Sequence, residues 1–253
     1  MPPAIWYPLH LKKIIHETEF TRRFLFEIET TEHFEYQAGQ FLTCDLPIGD
    51  KRAQRWRSYS IANWFSGKGE IEFCISYKEK GPASEYFFNK IQVGNVFKCK
   101  GPEGTFILPE NLDQNVFLIC TGTGLAPFRA MIQKLISHKT SFNSTHLIYG
   151  TRFLKDVIYK SELIAWPQQV QNFNTHICLS RETNLTELNA PGVYQHSGYV
   201  HEVYKSIFQT KHVDTTKSIF LICGWNAMID EAVLHLLSDL KIPREKIRFE
   251  LYG

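Results

Sequence analysis

Cys120-Thr121-Gly122-Thr123-Gly124-Leu125-Ala126-Pro127-Phe128 is the stretch that decides the fold. Before it, Val116-Phe117-Leu118-Ile119 is apolar and β-prone and reads as a buried parallel strand. After it, from Pro127 through Ile136, apolar residues recur at helical spacing. A turn with two glycines and two threonines joins the two. Such a strand–turn–helix offers bare backbone and a helix N-terminus to a pyrophosphate. The residues assigned to that contact are Thr121, Gly122, Thr123 and Gly124. Pro127 begins the helix where its missing N–H costs nothing. The pattern is not GxGxxG, so the dinucleotide is expected to lie differently from a dehydrogenase's NAD. A glycine-rich turn before a helix is often only a tight connection, and the rest of the chain has to decide.

The two sides of that stretch have different rhythms. Before about residue 108 the chain runs in short alternating segments, such as Phe24 to Ile28, Phe41 to Leu46 and Ile71 to Tyr77, separated by turn residues. Ser84 to Lys90 is the one clear short helix. This predicts an antiparallel β-barrel over residues 1–109. From about residue 114, strands at 116–120, 145–149, 174–179 and 218–222 alternate with helices at 126–138, 159–168, 198–206 and 226–240. That alternation predicts a doubly wound parallel α/β domain over residues 110–253, with the polar run Pro109 to Gln114 as the boundary.

The 253 residues are 43% hydrophobic, enough for two cores. Twenty-eight basic residues against 26 acidic ones leave a formal charge of +2, which argues against a general nucleic-acid binder. Six cysteines, at 44, 74, 99, 120, 178 and 223, form no CxxC pair and no clustered set of four for an iron–sulfur centre. They read as buried free thiols of a reducing compartment, and no resident metal is expected. Met1-Pro2-Pro3-Ala4-Ile5-Trp6 is not a signal peptide, and no apolar run approaches the roughly 20 residues of a membrane span. A cytoplasmic monomer is expected.

Further motifs stand in order along the chain: Arg57-Ser58-Tyr59-Ser60, Gly101-Pro102-Glu103-Gly104, Cys223-Gly224-Trp225-Asn226-Ala227-Met228 and the closing Phe249-Glu250-Leu251-Tyr252-Gly253. With the glycine-rich turn, they resemble the ferredoxin–NADP reductase family from about Gln40 to the C-terminus. These flavoproteins exchange electrons between a nicotinamide and a one-electron carrier. The resemblance implies bound FAD and NADP, a transient ferredoxin or flavodoxin partner, and an active site in the cleft between the two domains.

Arg57 and Tyr59 share a strand face, where an arginine can neutralise a flavin phosphate and a tyrosine ring can lie against the isoalloxazine. By resemblance, Arg57 holds the pyrophosphate, Tyr59 meets the flavin and Ser60 hydrogen-bonds near its N5, with Ser58 between them. Ile75, Ser76 and Tyr77 line the flavin with their backbone. Gly81 and Ala83 lead to Ser84, read as the N-cap of a helix that meets the second phosphate, which favours FAD over FMN. In the other half, the Gly-x-Arg turn ending at Arg152 lies near the dinucleotide. The resemblance implies that Ser180 and Arg181 hold a 2′-phosphate and that Tyr194 stacks on the adenine. The lysine usual two residues before that tyrosine is replaced by Gly192, and Glu182 is also readable as an NAD-type acid. Cys223, followed by Gly224 and Met228, packs its sulfur against the nicotinamide without acting as a thiolate. Glu250 is linked through Ser60 to the flavin for proton exchange. The Tyr252 ring covers the flavin until nicotinamide displaces it. Rival readings are an NADH-dependent reductase component of an oxygenase or cytochrome system, a general flavin or quinone reductase, and a non-catalytic FAD-binding subunit.

Overall fold

In the first half, alternation sets the sheet. The computed structural model describes residues 5–30, 34–64, 69–182, 185, 188, 190–211 and 213–252. Strands β1 (Tyr7–His16), β2 (Thr21–Ile28) and β3 (Phe41–Asp45) are followed by a one-turn helix, α1 (Arg52–Arg55), that sequence periodicity did not announce. Then come β4 (Trp56–Ser60), β5 (Glu70–Ser76), a short helix α2 (Pro82–Glu85), a π-type turn Tyr86–Lys90 and β6 (Val96–Glu103). The six strands pair antiparallel in the order β4-β3-β6-β1-β2-β5. Phe24, Phe26, Leu42, Phe73 and Phe97 point into one core. The edges β4 and β5 meet just past β4, where the Ala62 N–H donates to Glu72 O (2.8 Å) and the Glu72 N–H donates to Asn63 Oδ1 (2.7 Å). Those bonds link the two edge strands, as a barrel requires.

Two details differ from the sequence reading. The helix expected over 84–90 starts earlier, because Pro82 sits at its first position with φ already helical, and Gly81 rather than Ser84 is the N-cap. Alternation in β5 suggests an exposed Glu72, yet Glu72 is 5% exposed. Arg23 grips it bidentately at 2.7 and 3.0 Å, and Arg129 lies 3.3 Å away while donating to Ala62 O at 2.9 Å. Arg23 also reaches Glu17 at 3.0 Å, so buried and half-buried charges form a chain of alternating sign.

The second half alternates strand and helix: β7 (Asn115–Thr121), α3 (Leu125–His138), β8 (Ser144–Thr151), α4 (Lys160–Gln169), β9 (Phe173–Leu179), β10 (Val193–Ser197), α5 (Val200–Lys211), β11 (Ser218–Gly224), α6 (Asn226–Ser238) and β12 (Ile247–Leu251). All six strands are parallel, in the order β10-β9-β8-β7-β11-β12. Phe117, Ile119, Phe220 and Ile222 pack with α5 and α6 on one face. Trp166 of α4 meets Phe173 edge-on. The two edge strands, β10 and β12, lack the apolar run by which β7, β8, β9 and β11 are recognised. Contacts divide the chain into two compact units, Met1–Leu108 with Ala126–Lys134 and Pro109–Leu125 with Leu135–Gly253.

Candidate flavin and nucleotide sites

The chain steps outward from β7 to β10 and then returns to β11 on the other side of β7. Ligands gather at such a switch point, outside the carboxyl ends of the strands. Here the β7 end carries Thr121 and the Gly122–Gly124 turn into α3, and the β11 end carries Cys223 and Gly224. The two ends approach closely. A Cβ on Gly124 would lie 2.3 Å from Cys223 O, and one on Gly224, which has φ +145°, would lie 2.4 Å from Thr121 Oγ1 and 3.2 Å from Met228 Cε. Around Gly122 there is open space. The Trp225 N–H donates to Thr121 Oγ1 at 3.5 Å. Pro127 stands third in α3, within the first turn, where no backbone N–H is needed. A tight floor with open space above a helix N-terminus fits a pyrophosphate.

Of the four residues with expected catalytic roles, the structure brings three together. Cys223 pairs in register with Glu250, and the Tyr252 N–H donates to Gly224 O at 3.0 Å. Burial, and then the Glu250 charge, push the Cys223 thiol well up, while hydrogen bonding by Tyr252 opposes the rise. The sulfur is therefore a neutral, fully buried thiol, suited to packing and not to nucleophilic attack. Ser60, the fourth, is buried at the end of β4 in the first unit. Gly253 lies outside the described residues.

At the ends of β8 and β9, the Ser180 N–H donates to Thr151 O and the Arg181 N–H to Arg152 O, each at 3.0 Å. Arg152 and Arg181 are exposed neighbours, and neither forms an ion pair among the described residues. The Glu182 carboxylate accepts the Leu154 N–H at 3.1 Å. Tyr194 is not with them. It sits opposite His176 in register, about 10 Å below the β9 end at roughly 3.3 Å per residue, and stacks on His176 at 5.1 Å and 19°. An exposed tyrosine nearer that end is Tyr199, 69% exposed, just after the Gly198 N–H donates to Leu179 O. Sequence reading missed it because β10 was not recognised, so the register that separates the two tyrosines was out of reach.

In the barrel, the Arg57 guanidinium donates to the carbonyls of Ala53 (3.1 Å) and Trp56 (2.7 Å), and forms no ion pair among the described residues. Tyr59 is half-buried against Phe73 and Phe87, both 5.4 Å away. Burial pushes its phenol up, with Arg57 opposing. Ser58 is exposed and shares a hydrogen bond with Thr43. Ile75 is buried at the end of β5, Ser76 bonds Thr21 at 2.8 Å, and the Tyr77 hydroxyl donates to Glu85 at 3.3 Å. Ser84 Oγ accepts the Lys78 N–H and donates to the carbonyls of Lys78 and Gly81, so this hydroxyl is spent on its own loop. A phosphate here has instead the first-turn amides, Ala83 among them. Trp64 covers this unit: its N–H meets Gln133 Oε1 at 2.8 Å, its ring meets Tyr36, and Lys134 lies over it. An arginine with no ion pair among the described residues, beside a half-buried tyrosine on an aromatic floor, fits a flavin with its phosphate.

Known proteins carry the same pattern. Residues 8–107 match the oxidoreductase FAD-binding domain family and residues 118–233 the oxidoreductase NAD-binding domain family. The chain is 27% identical to ferredoxin–NADP reductase B of Sorangium cellulosum (strain So ce56), covering 92% of each. It is 26% identical to the anthranilate 1,2-dioxygenase electron transfer component of Acinetobacter baylyi over 70% of this chain, but spans only 49% of that protein. A crystal structure of a ferredoxin NADP+ reductase from Neisseria gonorrhoeae with bound FAD and NADP superposes with a TM-score of 0.76 at 22% identity, covering 99% of each chain. A flavin domain and a nicotinamide domain in this order, over most of the sequence, place the chain in the ferredoxin–NADP reductase family of flavoprotein oxidoreductases.

Proposed function

We propose that the protein moves electrons from NADPH to a one-electron carrier of the ferredoxin or flavodoxin kind. The observation that carries the coenzyme choice is the exposed pair Arg152 and Arg181 beside Ser180. A 2′-phosphate is a compact anion that two guanidinium groups with no carboxylate partner among the described residues would neutralise through charge-assisted hydrogen bonds. Glu182, an acid that would instead suit the ribose diol of NAD, accepts the Leu154 amide. The relative covered along nearly its full length carries a ferredoxin–NADP reductase name, which supports the same reading.

FAD, when bound, supplies the exchange between two-electron hydride transfer and single-electron release. The chain's own residues do the rest. Arg57 holds the flavin pyrophosphate, Tyr59 gives the ring an apolar wall, and Ser60 offers a hydroxyl to it. The Gly122–Gly124 turn receives the pyrophosphate of the coenzyme. Cys223, kept neutral, sets a polarisable surface for the nicotinamide.

Anaerobic stopped-flow reduction of the yellow holoprotein by NADPH and by NADH tests this. NADPH is expected to bind the more tightly. Arg181→Ala should lose about 1.5–3 kcal/mol of NADPH affinity, roughly 10- to 150-fold, and leave NADH nearly unchanged. Equal loss on both coenzymes, or faster reduction by NADH from the start, would favour the oxygenase-component reading that the Acinetobacter relative represents.

A further inference from the structure

Helices α5 and α6 bring together side chains that the redox chemistry above does not use. His201 lies in the first turn of α5. Glu231 and His235 are four residues apart on α6 and so share one face of that helix. His201 Nε2 is 3.3 Å from Glu231 Oε2, and the two imidazole rings stand edge-on at 5.5 Å and 86°. One nitrogen or oxygen from each of the three lies within 4.8 Å of the other two.

Behind the imidazoles sits a fully buried tyrosine. The Tyr204 oxygen is 3.1 Å from His201 Nδ1 and 3.2 Å from His235 Nδ1. A single hydroxyl proton cannot serve two Nδ1 atoms, so at least one ring donates its own Nδ1–H and carries its lone pair on Nε2. The oxygen has lone pairs enough for both rings to do so. With His201 in that tautomer, its Nε2 lone pair faces a carboxylate oxygen, two acceptors in contact that a cation relieves.

We propose that His201, Glu231 and His235 form a divalent transition-metal site, with Zn2+ as its ion, water completing a tetrahedral shell, and Tyr204 orienting both imidazoles. Neutral imidazoles and a carboxylate are the ligands zinc takes, and a hydrogen-bond acceptor on the second ring nitrogen is the usual support of a zinc-bound histidine. Bonds of about 2.0–2.2 Å set ligand atoms roughly 3.4 Å apart, so the set must tighten by about an ångström. Glu231, whose side chain is 56% exposed, can supply that by rotation. The ion would tie α5 to α6. The sequence gives no zinc spacing because the ligands are divided between two helices with β11 between them.

The FAD-loaded protein, stripped with EDTA, is titrated with Zn2+ alone at neutral pH and read by metal per chain after desalting and by Tm. One Zn2+ per chain and a Tm that rises with metal concentration are expected. His201→Gln and Glu231→Gln should weaken binding by at least the roughly 10- to 100-fold expected of Tyr204→Phe, which removes only the orienting oxygen. Glu231 is exposed, so Glu231→Gln folds and keeps its FAD. The proposal fails if wild type holds no Zn2+, if Glu231→Gln binds as tightly as wild type, or if the His201→Gln/His235→Gln double variant shows the same stoichiometry and Tm shift.

Discussion

Tyr194 and Tyr199 are five positions apart in sequence, and a strand register separates their meaning. Tyr194 lies against His176 within the sheet, whereas Tyr199 stands exposed just after Gly198, whose N–H donates to Leu179 O at the carboxyl end of β9. Tyr199→Ala should therefore weaken NADPH by about 0.5–1.5 kcal/mol, the worth of a stacked aromatic, while Tyr194→Ala leaves coenzyme affinity unchanged. Isothermal titration of both variants checks this, and a larger loss for Tyr194→Ala would return the adenine to it. Glu72 is the second residue whose context decides its meaning. Glu72→Gln leaves the buried Arg129 and the half-buried Arg23 without their shared counter-charge, so the barrel should lose about 3–5 kcal/mol in urea unfolding. Residues defined by backbone chemistry were the legible ones: Gly124 and Gly224 lie where a side chain would strike the opposite strand end. What was not legible was partnership across the chain. Ser84 reads as a cap with a free hydroxyl, and only the fold shows that Lys78 uses it.

Among elements, β7, β8, β9 and β11 were found from apolar runs, and the edge strands β10 and β12 were not, because edge strands need no second buried face. The pairing of β10 has a chemical result. His146, His176 and His196 line up across β8, β9 and β10, with ring nitrogens 3.2 and 3.0 Å apart, and Phe117 stacks on the inner end of the file. Burial holds His196 below its ordinary value. The unfolded chain then takes up that proton more readily, so this contribution to stability is present above about pH 6.5 and is lost as the pH falls below it. His196→Gln should flatten the dependence of unfolding free energy on pH between about 7 and 5, by at most about 1.4 kcal/mol per pH unit. An unchanged slope would show that the file titrates alike in both states.

For the whole molecule, the described cysteines are all free and buried, and Cys44, Cys99, Cys120, Cys178 and Cys223 are pushed up by that burial, Cys99 and Cys178 to about 12. A thiol reagent should find no fast-reacting group in the native protein and all six after denaturation; a fast native reaction would locate a local opening. No helix of the described residues is long and apolar enough to cross a membrane. The crevice at the β7–β11 switch point has a consequence for how the protein comes to be. Thr121 and Trp225, which join its two walls, are separated by 104 positions. Contacts of that span close late, because the entropy of the intervening loop must be met first. A chain that has formed β7 and α3 but not yet inserted β11 has a glycine turn with no opposite wall. During refolding, coenzyme affinity should therefore be the last property to return, after helical content, making nucleotide capture a clock for completion of the sheet.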